Sequence, residues 1–362
     1  MTDRIKHLDG LRGFAILMVV LYHVFERWTD RVPYGDDYSG YTITTLGYLG
    51  VQLFFLISGF VILLTLENSS NGLNFIKRRW LRLFPAMLAG TVFICIISFL
   101  FPDRPSGQVT IANTLPGLTF IQPLFWQALG FDLMSLEGAF WSLYVEVQFY
   151  IFAAILYFSF GRRVFIGLTI AAFVFSAIIL NLESILIDLE SALIDHPLFK
   201  IVLISVNLST FKHFGWFAAG CLFFLYSKGK EKQYLYSGIV LGFASATQLE
   251  QPGFIHILGG AVITLLFAAS LKFRLPKLVL SNRIFLFFGF ISYPLYLIHE
   301  NLLIASIIKI DLLFPAIPHV LLPLITFAGV TIFAYLIARF AEPAIRRPLA
   351  NSLKPRQARI AK

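Results

Sequence analysis

Apolar residues run through this sequence in blocks long enough to cross a bilayer, and the connections between blocks are short and polar. About 17–25 apolar residues in helical form span the roughly 30 Å of hydrocarbon. Such blocks fall at 11–27, 46–66, 84–101, 141–160, 164–182, 211–227, 235–250, 254–271, 284–307 and 320–340. The pattern predicts an all-α polytopic membrane protein, a bundle of about ten transmembrane helices. Segment 110–131 is apolar in places but interrupted by Pro116, Gly117 and Pro123, which predicts an interfacial or re-entrant piece. Segment 197–209 is too short for a span of its own. No internal repeat or low-complexity tract appears. The first block lacks a small-residue cleavage site and holds Tyr22-His23, so an uncleaved first helix is expected.

Composition removes the soluble alternative. Of 362 residues 58% are hydrophobic and 14% charged, with a mean hydropathy of +0.78. A soluble domain carries about 25% charged residues, so this chain lacks the polar surface to cover itself in water. The net charge of +9 would suggest nucleic acid only if basic and aromatic residues interleaved on a surface, and they do not. Basic residues sit instead in the connections, where they report orientation. With the N-terminus inside, only Arg27, Arg31, Arg104, Lys200, Lys212 and Lys309 of the 29 Lys and Arg fall on the outer side. Asp30, Asp36, Asp37, Glu183, Asp188, Glu190 and Asp195 lean outward. Both termini are therefore expected in the cytoplasm, residues 1–345 forming the membrane domain and 346–362 a basic cytoplasmic tail. Cys95 and Cys221 lie inside apolar blocks and read as small core residues.

Ionisable side chains inside a span are costly and mark function by default. His23 lies in the first block, Glu146 in the fourth, and His299 with Glu300 in the ninth. Placed from the flanking Trp28 and Trp141, His23 and Glu146 fall at matched depth, roughly 8 Å below the outer interface at 1.5 Å per residue. An imidazole and a carboxylate at one depth could tune each other, although sequence does not place them side by side. Arg12 and His23 share a helical face, about 16 Å apart along the axis, with Asp9 nearly on the same stripe. Arg79 and Arg82 open the third span one turn apart, ahead of Pro85. The plain reading of that pair is topology signalling; the functional one is a forked clamp for phosphate. A lone His can also serve only as an interhelical hydrogen-bonding group, and Glu146 only as a structural carboxylate. Ser58-Gly59 reads as a close helix approach, not a nucleophile, since no G-x-S-x-G surrounds it. The other histidines show no ligand spacing, and no metal site is expected.

These residues resemble the acyltransferase 3 family, membrane proteins that O-acylate bacterial surface carbohydrates. Leu8-Asp9-Gly10-Leu11-Arg12-Gly13 running on to Leu21-Tyr22-His23 is similar to the family's opening signature. Gly50-Val51-Gln52 through Ser58-Gly59-Phe60 resembles its second-helix block, and Arg79-x-x-Arg82 with Pro85 its arginine motif. Trp141-Ser142-Leu143-Tyr144-Val145-Glu146, Ser292-Tyr293-x-x-Tyr296-Leu297-x-His299, and Glu342-Pro343 with Arg346 complete the set in order. Val147 stands where a second Glu is common, and Ile298 and Asn301 replace a frequent Trp and Pro around His299.

The resemblance implies transfer of an acyl group, usually acetyl, from cytoplasmic acyl-CoA to a hydroxyl of a carbohydrate or glycolipid at the outer side of the bacterial inner membrane. The donor acetyl-CoA is a substrate, and no bound cofactor is implied. It implies His23 and Glu146 as catalytic residues and Arg12, Arg79 and Arg82 as the acyl-CoA site. Asp9, Tyr22, Ser142, Tyr293 and His299 are implied as acceptor-side or supporting residues. The bilayer is the remaining partner; nucleic acid is not one, and the oligomeric state is open. The competing reading is a proton-coupled transporter or flippase of a lipid-linked sugar, which would also use buried His and Glu. Such folds often carry internal repeats, absent here.

Overall fold

The computed structural model describes residues 5–188, 194, 196–249 and 253–353. Among these every regular element is helical. The main helices are α1 (Lys6–Tyr22), α2 (Gly50–Glu67), α3 (Gly72–Ile97), α4 (Trp141–Asp188), α5 (Pro197–Ser209), α6 (Phe214–Gly229), α7 (Lys232–Ala246), α8 (Phe254–Lys272), α9 (Arg283–Leu313), α10 (Leu322–Leu336) and α11 (Glu342–Ser352). Each apolar block of the sequence falls mainly in a helix, with 98–101 and 247–249 lying beyond their helix ends. Segment 110–131 contains two short helical turns, Thr114–Thr119 and Pro123–Ala128, with Phe120 in the left-handed region between them. Residues 346–352 of the basic tail lie within α11, while 354–362 fall outside the described residues, as do Glu190, Asp195 and the end of the block at 250.

Length decides which helices can cross a membrane unaided. Among the described residues six stretches are long and apolar enough, and a seventh arises if Arg274–Leu280 and α9, bent by 63°, count as one. One of the six, Gly138–Ile187, has 50 residues, about 75 Å at 1.5 Å per residue and more than twice the hydrocarbon thickness. It is broken at Gly161, whose φ of 83° and ψ of 173° no helix adopts. Glycine reaches that region without a Cβ penalty, and Arg162-Arg163 follow it. With 16 and 15 residues, α6 and α7 reach about 22–24 Å, short of a full crossing.

The chain forms two compact units. The first comprises the described residues of 1–15, 49–75 and 142–285. Small residues set its packing: a Cβ on Gly59 would stand 2.0 Å from the Phe217 carbonyl oxygen, and one on Gly220 2.2 Å from that of Leu56. Helices α2 and α6 thus meet backbone to backbone, the glycine-mediated contact common between membrane helices, and the Cys221 thiol donates to the Gly59 carbonyl. Gly59 is the close approach that its sequence context implied. Phenylalanines fill the rest, Phe149 stacking on Phe217 at 4.2 Å between centroids and Phe55 at 4.8 Å.

The second unit comprises the described residues of 16–48, 76–141 and 286–362. It holds the outer part of the first helix, most of α3, the long connection 98–140, α9, α10 and α11. Gly90 of α3 faces Leu297 and Ile298 of α9, and Phe93 meets Phe333 of α10. The connection 98–140 is anchored on α9 by buried polar groups, and there the chemistry gathers.

Candidate active site

His23 ends α1 at a place where the helix loosens into a π turn, His23–Arg27. Such turns free backbone carbonyls and occur often at functional sites. One freed group, the Val24 carbonyl, accepts the Tyr34 hydroxyl at 2.8 Å. Burial pushes the Tyr34 phenol up, with Tyr38 adding to the shift, so it stays a donor. Glu26 accepts the Gly40 N–H at 2.9 Å and the Thr44 and Thr45 hydroxyls. The outer loop is thereby tied to the turn that carries His23.

Carbonyl geometry fixes the protons on two imidazoles. His299 Nδ1 lies 2.9 Å from the Tyr296 carbonyl, and a carbonyl can only accept, so Nδ1 carries the hydrogen and Nε2 of the neutral ring is an acceptor. His23 Nδ1 lies 2.9 Å from the Val19 carbonyl and 3.3 Å from His299 Nε2. Both contacts call for a hydrogen on His23 Nδ1. The lone pair of neutral His23 therefore sits on Nε2, and 12% of the side chain remains exposed. That nitrogen stands 3.8 Å from Glu300 Oε1, too far for a hydrogen bond yet well within Coulombic reach. Tyr22 packs edge-on against His23 and against Tyr48.

Three consecutive α9 residues, His299, Glu300 and Asn301, are almost fully buried, and each has a different partner. Glu300 Oε2 accepts the Ala139 N–H at 2.5 Å, placing a carboxylate at the N-terminal end of the helical run that begins at Gly138, the favoured location for an anion. A Cβ on Gly138 would stand 2.8 Å from Glu300 Oε1, so a side chain there would make the carboxylate shift. Asn301 donates its backbone N–H (3.0 Å) and its side-chain amide to Glu137, and its own side-chain oxygen accepts the Ser106 N–H. Glu137 pairs with Arg104 at 3.1 Å. Burial pushes the Glu137 carboxyl up to about 8 against the pull of Arg104, with the Glu300 charge adding to the rise and the Asn301 donors opposing it. Tyr296 donates to the Ala139 carbonyl at 2.7 Å.

His23 and His299 are thus brought together, and Tyr22 stands beside them. Tyr293 donates to the Leu83 carbonyl at 3.2 Å, holding α9 to the turn of α3 that follows Arg82. Arg79 is buried and Arg82 exposed, with Arg82 in the field of Glu342. The remaining candidates belong to the other unit. There Arg12 pairs with Asp9 at 2.9 Å, Ser142 is buried, and Glu146 Oε1 accepts the Ser58 and Tyr150 hydroxyls at 2.6 and 2.5 Å. His23, matched in depth with Glu146 by sequence, meets Val19 and His299, while Glu146 meets Ser58 and Tyr150. Sequence reasoning passed over Glu300, Glu137 and Arg104 as site residues. Arg104 and Glu137 looked like loop charges. The run His-Glu-Asn inside an apolar block was the available signal for Glu300. Among the described residues no three His, Cys, Asp or Glu side chains form a metal-holding group.

The sequence model of a family described as an acyltransferase domain, acyltransferase 3, matches residues 5–339. The acyltransferase MdmB of Streptomyces mycarofaciens is 30% identical over 153 residues, 41% of this chain and 38% of that protein. The O-acetyltransferase OatA of Staphylococcus aureus (strain NCTC 8325 / PS 47) is 32% identical over 157 residues, 40% of this chain and 23% of its own length. A putative O-acetyltransferase of Staphylococcus aureus (strain COL) is 29% identical over 161 residues, 41% of this chain and 24% of its own length. The chain thus spans between about a quarter and two fifths of the length of these curated relatives. No solved structure matches it.

Proposed function

The chain belongs to the acyltransferase 3 family, and from that premise we propose that it transfers an acyl group, acetyl in the simplest case, from cytoplasmic acyl-CoA to a hydroxyl of a carbohydrate or glycolipid at the outer face of a bacterial inner membrane. The placement supposes an even number of crossings with both termini inside, for which the basic connections argue. The observation that carries the reading is the pinned tautomer of His23. Val19 and His299 take the Nδ1 hydrogen, which leaves Nε2 as a base at the end of the first helix.

In this reading His23 Nε2 removes the proton of the acceptor hydroxyl as its oxygen attacks the thioester carbonyl. The carbon–sulfur bond breaks, and the proton passes on to the departing CoA sulfur. The alternative, that His23 itself carries the acyl group briefly, uses the same nitrogen. Arg79 and Arg82 on α3 are the proposed holders of the phosphates of CoA, which cannot enter hydrocarbon, and Arg12 is a further candidate in its own unit; guanidinium forks suit phosphate. The names of MdmB and OatA, an acyltransferase and an O-acetyltransferase, agree with acyl transfer to oxygen.

The test is transfer of label from radiolabelled acetyl-CoA in membranes carrying the full chain. His23→Ala lowers turnover by about 10²-fold or more, the scale of a general base, with the protein still inserted. Arg82→Ala raises the KM for acetyl-CoA. Retained turnover in His23→Ala removes the base assignment; label that never joins a glycan, with sugar carried across the membrane, replaces the enzyme by a transporter.

A further inference from the structure

We propose that Glu300 is the positioning residue for His23, the carboxylate beside which its reactive nitrogen picks up and holds the proton; this rests on the reading of His23 as the base. Three observations converge on that role. First, His23 presents Nε2, its unprotonated nitrogen, to Glu300 Oε1 at 3.8 Å, while the opposite edge of the ring is pinned by Val19 and His299. Second, the Glu300 carboxylate is fixed from behind, since its other oxygen accepts the Ala139 N–H at the start of a helical run. Third, glycine at position 138 leaves the carboxylate undisturbed in that seat, where a Cβ would stand 2.8 Å from Oε1. A buried carboxylate held this precisely is costly unless the charge is used.

When the acceptor O–H bond breaks, the new N–H bond forms on Nε2 and the imidazole becomes a cation. The nearest anion is Glu300, so the charge is stabilised as it appears rather than in the resting state. When the proton leaves for the CoA sulfur, the pair returns to its starting form. Proton and charge balance within the His23–Glu300 pair, and no further reactant is needed. Arg27, which lies in the same turn and acts on His23 from the opposite sign, makes the negative partner more necessary.

The experiment measures kcat and KM for radiolabelled acetyl-CoA with the full-length chain in membranes, alongside the unfolding temperature. Glu300→Gln keeps the shape and can still accept from Ala139, and removes only the charge. It is expected to lower kcat roughly 10- to 100-fold, the order of one partly screened charge–charge interaction at this distance, and to leave KM within about twofold. Gly138→Ala pushes the carboxylate off its seat and lowers kcat without touching any charge. Adding Glu300→Asp, which retracts the carboxylate by one methylene, restores part of the loss. Full turnover in Glu300→Gln, or losses in every variant that merely track loss of folded protein, overturns the proposal. Loss in Glu300→Gln together with normal turnover in His23→Ala instead overturns the base assignment on which it rests.

Discussion

The two units of the chain solve the problem of life in a membrane in opposite ways. In the unit containing α2, α6, α7 and α8, buried polar atoms are mostly hydroxyls returned to their own helix. Ser245, Thr264 and Thr169 each donate to the carbonyl four residues earlier, and Ser270 to the one three earlier. Glycine contacts and stacked phenylalanines do the joining. In the unit containing α9, the buried groups are charged or ionisable, Arg104, Glu137, His299 and Glu300, and their partners lie far away in sequence. Hydroxyls satisfied within their own turn cost little to bury, whereas charges survive only when every partner is present. That cluster is what makes this unit the candidate for the chemistry proposed above.

That contrast can be broken experimentally. The largest expected effect on stability is Arg104→Ala measured above pH 8, where Glu137 is ionised; it strips a buried carboxylate of its cation and costs about 3–5 kcal/mol, read as a drop in unfolding temperature and as protease access to the connection 98–140. If Arg104→Ala is neutral, the polar unit is not built on its charges. Next comes Gly220→Ala, whose methyl would stand 2.2 Å from the Leu56 carbonyl oxygen and 2.8 Å from the Phe60 nitrogen. Overpacking of that kind costs about 1–3 kcal/mol with turnover per folded molecule unchanged, which sharpens the division between packing unit and chemical unit.

Smaller effects follow. Glu137 titrates in the folded chain near 8 rather than 4.5, so the native state binds its proton more tightly. The stability this confers is full below about 4.5 and is lost as pH rises to about 8. Unfolding temperature should therefore decline across that window, and the decline should flatten in Glu137→Gln. Last is Glu67→Gln, which breaks partly exposed ion pairs to Arg162 and Lys228 at 3.0 and 2.6 Å. Such pairs are worth about 0–1 kcal/mol and fade with salt. A large loss there would mean that the first unit, too, depends on charge.

Helix positions were legible because bilayer thickness imposes a length on apolar blocks that composition cannot hide. The break at Gly161 was legible as well, since a glycine followed by two arginines ends one apolar block before the next begins. The partners of His23 were not. Matched depth, read from Trp28 and Trp141, is a one-dimensional quantity and says nothing of which side chains stand side by side. Which helix stands beside another is decided by contacts such as Gly90 against Leu297, and no periodicity encodes that. Arg104 and Glu137 carried the least signal. They are 33 residues apart in an irregular connection, and a charge buried by a tertiary partner looks the same in sequence as a charge in water.

His299, Glu300 and Asn301 occupy successive positions of one helix, each turned about 100° from the last, so their partners lie around more than half of its circumference. No swivel of that helix can keep all three satisfied, and a slide along its axis would strand them together. The ninth helix is therefore a stator. Any motion that admits or releases a ligand has to be made by the elements around it, with His299, Glu300 and Asn301 as the fixed point against which they move.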